Sequence, residues 1–553
     1  MALSDVRKAE HASDNHVNEE ELDFFKVKMS NEGYVKEVQI LQTGFLRLLR
    51  RLGFRRYDVA ESFIVVRIHD NVIEQIFPHR LREIIVRHFV RFPDEIGGCP
   101  KDMLLEKLIR SLGTLTTDEK LSLLVDLEDD DHQIEIVEDT ADKAYYFYEN
   151  GFVEVSKSGW ELKPYKDLPG FIWKDQIIPR QFKKLRLKEI EQGVYWKFAR
   201  MVSGDWGAPD APRKQGEIPP SQNETRLNSF LTITGYNLHR FFKTKLRCTI
   251  FMDSRVGDDP DGRSGKSLHC KAMWEILNAD PISGKQCITI DGKKYDEQNR
   301  FNLDELHIST RLVVFDDIKR GFVIENFFNA IVDGLVRERK GDVNKARIFS
   351  KIIFTLNYTI QIRGGSAKDR VIEFEFADYF SSRHQPETEF GHWFFRDWDA
   401  EEYNRFDNFM CLCVCEYLKA GIIMPDTINL EQRKLRDETA LEFISWMEDL
   451  EIAHCKEYEK RALYRQFLDI NDEGKPMNRD FHLLKQRQFT KWLQLYATYR
   501  PEFAGFKEWR SSGTDKIVFF YNEPAPEDLL RGAVVFPGKS ANLKPSTEKD
   551  LPF

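Results

Sequence analysis

The chain has 553 residues, 82 Lys and Arg against 91 Asp and Glu, a formal charge of −9, and 41% hydrophobic and 13% aromatic residues. This suits several folded domains and excludes a chain too polar to build a core. The acidity excludes a uniformly basic nucleic-acid coat, so nucleic-acid contact must come from local patches such as residues 180–186 or 485–491.

No run approaches the roughly eighteen apolar residues of a membrane span, and the first residues lack the apolar core of a signal peptide. The expectation is a cytoplasmic protein with no membrane partner. The eight cysteines form no C-x-x-C pair, which argues against a disulfide framework or a zinc ribbon.

In chain order, residues 1–150 read as an N-terminal α+β domain. Its polar first eighteen residues precede helical patterns over 39–51 and 80–91 and an alternating strand over 61–67. The acidic run at 126–132 offers clustered carboxylates of the kind two-metal catalysis needs, but charge runs mostly solvate, and a loop is expected there. Residues 151–224, rich in aromatics, Gly and Pro, read as a connector. A helix over 225–242 carries Leu227, Phe230, Leu231, Ile233 and Leu238 on one broad apolar face.

Three short apolar runs follow, each ending in a residue type that phosphate chemistry needs. Arg247-Cys-Thr-Ile-Phe-Met252 leads to Asp261-Gly-Arg-Ser-Gly-Lys-Ser267, Arg311-Leu-Val-Val-Phe315 ends in Asp316-Asp317, and Lys351-Ile-Ile-Phe-Thr-Leu356 ends in Asn357. Such runs, separated by stretches long enough for helical crossovers, predict buried parallel strands, whose carboxyl ends are where α/β sheets bind ligands. In this arrangement Gly262 and Gly265 shape a phosphate loop, Lys266 reaches the β and γ oxygens of ATP, and Ser267 with Asp316 holds Mg2+. Asp317 polarises the attacking water and Asn357 orients it. A strict P-loop has Gly where Pro260 stands. A P-loop kinase fits the same elements, although no acceptor pocket is evident.

Beyond the three strands, residues 336–347 form a basic stretch with Gly341-Asp342 at a turn position. Cys411, Cys413 and Cys415 lie inside an apolar segment, 406–418, and read as core rather than as ligands. In the C-terminal part, helical patterns over 458–467 and 483–499 precede two strand-like stretches around Ser511-Ser-Gly-Thr514. That is the order of a winged helix-turn-helix, in which Gln486, Arg487, Thr490 and Lys491 face DNA. A helical protein-interaction domain with a β-hairpin fits the same order. The Pro-punctuated end, 523–553, reads as a disordered tail.

These residues resemble the superfamily 3 helicases, AAA+ ATPases of viruses, phages and plasmids, and in particular their phage and poxvirus primase-helicase branch. The resemblance spans roughly residues 225–521. It rests on Ile233-Thr-Gly-Tyr-Asn-Leu-His-Arg240 before the phosphate loop, on Asp316-Asp317 about fifty residues after it, on the basic stretch at 336–347, and on Asp369-Arg370 before a final strand.

The resemblance implies a multidomain α/β protein with an AAA+ core over 225–385, a helical linker over 386–440 and a winged-helix domain over 441–522. It implies a homo-oligomer, in number a hexamer, acting as an ATP-dependent helicase or translocase on single-stranded or forked DNA in phage, prophage or plasmid replication, in a host cytoplasm. A primase or another replication protein is a further partner. Lys340 and Lys345 would grip a DNA strand, and Arg370 would serve a neighbouring subunit's ATP, with Arg363 the competing finger. With no zinc-ligand set and no carboxylate triad in residues 1–150, no priming is expected from this chain. Pro260 and Asp369, which breaks the doublet of arginines that the family carries at 369–370, leave open an alternative, an ATP-binding initiator or sensor that does not unwind DNA.

Overall fold

The computed structural model describes residues 23–521 except 60–61, 91, 125–134, 205–219, 244, 256–261, 279–284, 297–298, 300, 308, 339–345, 361, 363–368, 451, 453–455, 470–478 and 501. The protein is mixed α/β with several sheets, one of them parallel. The acidic run at 126–132, Pro260, Lys340, Lys345, Arg363 and the 523–553 tail lie outside the described residues.

The parallel sheet has five strands: β1 (Cys248–Asp253), β2 (Cys287–Asp291), β3 (Leu312–Asp316), β4 (Lys351–Leu356) and β5 (Val371–Phe376). Their spatial order is β2-β3-β4-β1-β5, and all four pairings are parallel. The three apolar runs read from the sequence are β1, β3 and β4. Every residue of β1 and β4 is buried, because both sheet faces are covered. Phe251, Val314, Ile353 and Ile372 point into one core, while Ile250, Val313, Ile352 and Phe354 point into the other.

Helices α1 (Val194–Ser203), α2 (Pro220–Leu238), α3 (Lys266–Leu277) and α4 (Ala400–Ala420) pack in the first of these cores, together with an antiparallel sheet of Lys143–Tyr148, Gly151–Ser156 and Gly159–Lys163. Much of the expected connector and linker therefore lies in the core of the parallel sheet. The reason is visible in α4, where Cys411, Cys413 and Cys415 are all buried because α2 covers one side and the antiparallel sheet another. Arg180, read as part of a basic patch, is committed instead to the buried Asp407 of α4 through two hydrogen bonds of 2.6 and 2.7 Å.

The Gly-Tyr-x-Leu-His motif is explained by the same packing. A Cβ on Gly235 would lie 2.1 Å from the Cys413 carbonyl oxygen, so only glycine lets α2 and α4 approach this closely. The Tyr236 hydroxyl donates to Arg247 O at 2.9 Å and accepts from Arg247 N at 2.8 Å, fixing the approach to β1. The helix stops at Leu238, short of the expected 242. There Lys351 Nζ takes the carbonyls of Tyr236 and His239, which have no helical donor left.

Residues 24–124 build a separate core around Phe24, Phe45, Phe89 and Leu108. The flanks of the expected basic hairpin pair as Leu335–Arg337 with Ala346–Ile348.

C-terminal to the sheet come α5 (Leu430–Glu438), α6 (Leu441–Asp449), the short strand Tyr458–Glu459, α7 (Lys460–Leu468), α8 (Gln486–Tyr499) and the hairpin β6 (Phe503–Ser511) and β7 (Thr514–Tyr521). Tyr458–Glu459 pairs with β7, and Ser512 and Gly513 turn the hairpin with positive φ. No helix among the described residues is long and apolar enough to cross a membrane.

Candidate nucleotide site

The carboxyl ends of β3 and β4 and the start of α3 meet at one open cleft of about 520 Å³, and the carboxyl end of β1 adjoins it through the contact of Asp253 with Lys266. Gly262, Gly265, Lys266, Ser267, Asp316, Asp317 and Asn357 all line it, and Arg263, Leu268, Thr355, Gln385, Pro386 and Glu387 complete the wall. A volume of this order suits a small-molecule ligand.

The loop owes its shape to left-handed backbone. Gly262, Arg263 and Gly265 have φ of 65°, 62° and 103°, and Gly265 sits at the N-cap of α3. Gly265 is doubly constrained, since a Cβ there would also lie 2.8 Å from two ring carbons of Phe198 on α1. The first turn of α3 leaves backbone N–H groups unpaired at the cleft, the usual arrangement for holding phosphate oxygens.

Lys266 is buried, and its ammonium group donates to the Asp253 carboxylate, to Asn357 Oδ1 at 2.9 Å and to Ser264 Oγ at 3.3 Å. Burial lowers its pKa from the usual lysine value, and the Asp253 charge opposes that shift. Asp253 also accepts from the Ser264 hydroxyl, while its second carboxylate oxygen is buried with no partner. The lysine is thus held by a carboxylate at the edge of the cleft.

Ser267 Oγ donates to Asp316 at 3.0 Å, and Thr355 Oγ1 donates to the same Asp316 oxygen at 2.6 Å. A hydroxyl and a carboxylate oxygen held together are the donor chemistry a hard divalent cation takes, so Ser267 and Asp316 fit Mg2+. Asp317 turns away from the strand at φ 57°, its N–H bonded to Thr355 Oγ1 at 2.8 Å and its carboxylate paired with Lys293 at the surface. Asp is among the few residue types that accept this conformation readily.

His269, one turn into α3, anchors the loop from below. Its Nδ1 meets the Tyr195 hydroxyl at 2.7 Å and its Nε2 meets Thr234 Oγ1 at 3.3 Å, among Phe230, Phe251 and Phe376. Burial pushes its pKa down to about 3 from 6.5. The neutral imidazole therefore contributes stability that is fully present above pH 6.5 and is lost as pH falls toward 3. In acid unfolding, His269→Leu is expected to remove up to about 4 kcal/mol of that pH dependence. An unchanged slope between pH 6 and 4 would contradict the neutral buried state.

Other expected site residues lie elsewhere. Arg370 immediately precedes β5, at the amino end of the sheet, where its carbonyl accepts from Cys248 N at 2.9 Å and its guanidinium lies 5.5 Å from the Phe328 ring. With β5 between them, roughly 20 Å separates it from the cleft of its own chain. Arg487 and Lys491 are exposed one turn apart on α8. Thr490, expected beside them, is instead buried, its hydroxyl bonded back to Gln486 O at 2.9 Å.

Sequence reading missed Asp253, Thr355, Lys293, Gln385 and Arg433. Asp253 carried a usable signal, an acid directly after an apolar run like Asp316. Thr355 was hidden inside the strand, and Arg433 reaches the site from far along the chain, which no local pattern shows.

No protein-family model matches this sequence, and no curated protein matches it. Among solved structures, two apo forms of the NrS-1 C-terminal region (305–718) align with TM-score 0.34 and 12% identity, covering 86% of this chain and 98% of that chain.

Proposed function

We propose that the chain is an ATP-dependent DNA motor of the superfamily 3 type, hydrolysing ATP at the cleft between β1, β3 and β4. The observation that carries this reading is the convergence of Lys266, Ser267, Asp316, Asp317 and Asn357, from two strand ends and one helix start, on a single cavity. The strand order β2-β3-β4-β1-β5, with the phosphate loop following a strand inside the sheet, supports it.

In this reading Lys266 leaves Asp253 for the β and γ oxygens, while the loop N–H groups hold the remaining phosphate charge. Ser267 and Asp316 would hold Mg2+, which supplies positive charge against the phosphates. Asp317 accepts a proton from the attacking water, and Asn357, freed from Lys266, orients that water. The position of Arg370 at the opposite end of the sheet suits a role on a neighbour's ATP.

The C-terminal order of helix, strand, two helices and hairpin supports a winged helix, with Arg487 and Lys491 on the exposed face of α8 available to a DNA backbone. The alternative, an ATP-binding initiator without unwinding, draws on one feature: Lys266 is already satisfied by Asp253, which suits a binding switch.

The test is ATP turnover by the full chain with and without forked DNA, together with strand displacement. DNA-stimulated turnover and displacement are expected, both lost in Lys266→Ala and in Arg370→Ala, the latter by about 10³-fold or more. Mixing the two inactive variants is expected to restore part of the turnover, since some interfaces then pair an intact lysine with an intact arginine. Turnover indifferent to DNA, without displacement, would favour the initiator.

A further inference from the structure

The residues holding Lys266 are themselves held by one buried side chain. Arg433 of α5 donates through Nη1 to the carbonyl of Asp253 and through Nη2 to the carbonyl of Asn357 at 3.2 Å. It thereby bridges the carboxyl ends of β1 and β4 beneath the cleft, and it does not line the cleft itself. Its charge faces Glu375 of β5 at 3.9 Å, and Glu375 is fixed in turn by the N–H groups of Ile428 at 2.6 Å and Asn429 at 3.2 Å.

The helix that carries Arg433 belongs to two cores at once. Leu430 packs beneath the parallel sheet, whereas Leu435 packs with Phe443, Phe489 and Trp492 of the C-terminal unit. Lys434 pairs with Glu373 of β5 at 2.8 Å, and Glu438 accepts from the Tyr499 hydroxyl of α8 at 2.9 Å. A shift of α8 would therefore be passed to α5 and through Arg433 to the two residues that grip Lys266.

We propose that Arg433 is a positioning residue of the nucleotide site, setting the spacing of Asp253 and Asn357 around Lys266 and tying that spacing to the C-terminal unit. The proposal rests on the nucleotide-site reading. It concerns geometry, so a lysine, which keeps the charge near Glu375 but lacks the guanidinium fork that spans two carbonyls, does not replace the arginine.

The experiment compares Arg433→Lys and Arg433→Gln in the full chain by two readouts. The first is the rate at which Lys266 is acylated by an amine-reactive ester, followed by peptide mass spectrometry, which requires no turnover. Both variants are expected to fold, at a lower melting temperature because two buried carbonyls lose their donor, and to expose Lys266 and speed its modification by about tenfold. The second is ATP hydrolysis: kcat is expected to fall at least tenfold with KM nearly constant, and Arg433→Gln combined with Asn357→Ala is expected to be no slower than Asn357→Ala alone.

Unchanged Lys266 protection, recovery of function by Arg433→Lys, or full additivity with Asn357→Ala would each overturn the assignment. Failure of both variants to fold would also overturn it, since Arg433 would then be a residue of the general core. Wild-type protein that shows no Lys266-dependent turnover would sink the ATPase reading, and the acylation rates would still decide the role of Arg433.

Discussion

Lys266→Ala is expected to destabilise the free protein by about 3–5 kcal/mol, in addition to ending the proposed nucleotide binding. Lys266 is the ionic partner of the Asp253 carboxylate, and both are buried at the same depth. One oxygen of Asp253 already has no hydrogen-bond partner, so losing the ammonium leaves a buried charge with the Ser264 hydroxyl alone. Such a charge in low dielectric is far costlier than the pair was favourable. The paired variant Lys266→Met with Asp253→Asn is expected to recover most of the loss, because it removes both charges together. Urea unfolding of the three proteins without nucleotide checks this. A single variant as stable as wild type would mean that the carboxylate is not buried as described.

Gly265→Ala is expected to remove the proposed nucleotide binding and to destabilise the chain by roughly 2–4 kcal/mol, from two separate causes. An L-residue at φ 103° is strained whatever space it has, and its Cβ would overlap the Phe198 ring at 2.8 Å. Phe198 cannot easily withdraw, since it is fully buried and packs against Phe380, Phe394 and Tyr195. Adding Phe198→Leu is expected to relieve the overlap but not the backbone strain, restoring only part of the stability. Titration with a fluorescent ATP analogue and thermal unfolding give the two readouts. Full recovery in the double variant would assign the whole effect to the ring contact.

The contrast between these two positions and Arg433 shows what was legible along the chain. Gly265, Lys266 and Ser267 are neighbours in sequence, and the shape of their loop depends on local backbone, so a short motif is enough to place them together at the cleft. The places of Asp316 and Asn357 at strand ends are legible because a buried strand is an unbroken apolar run, and its end is visible as the first polar residue. Asp253 obeys the same rule, as the polar residue that closes the apolar run of β1.

The mispredicted elements share a physical cause. The apolar 406–418 segment signalled burial without naming its partners, so α4 read as a linker although it packs in the core beside the parallel sheet. Arg180 read as a basic surface residue because its counter-charge, Asp407, lies 227 positions away. Thr490 was placed on a DNA face by its neighbours, whereas the rotation of α8 against Phe443 and Phe467 turned it inward.

Local patterning by itself determined the three strand ends, the glycine turn of the loop and the α/β character, because each depends on periodicity or backbone freedom over a few residues. Only tertiary structure decided which carboxylate holds Lys266, which helix braces the strand ends and which basic residues remain exposed. Those choices are made by burial and by charges paired across the whole chain, and desolvation has no signature in any short stretch of sequence.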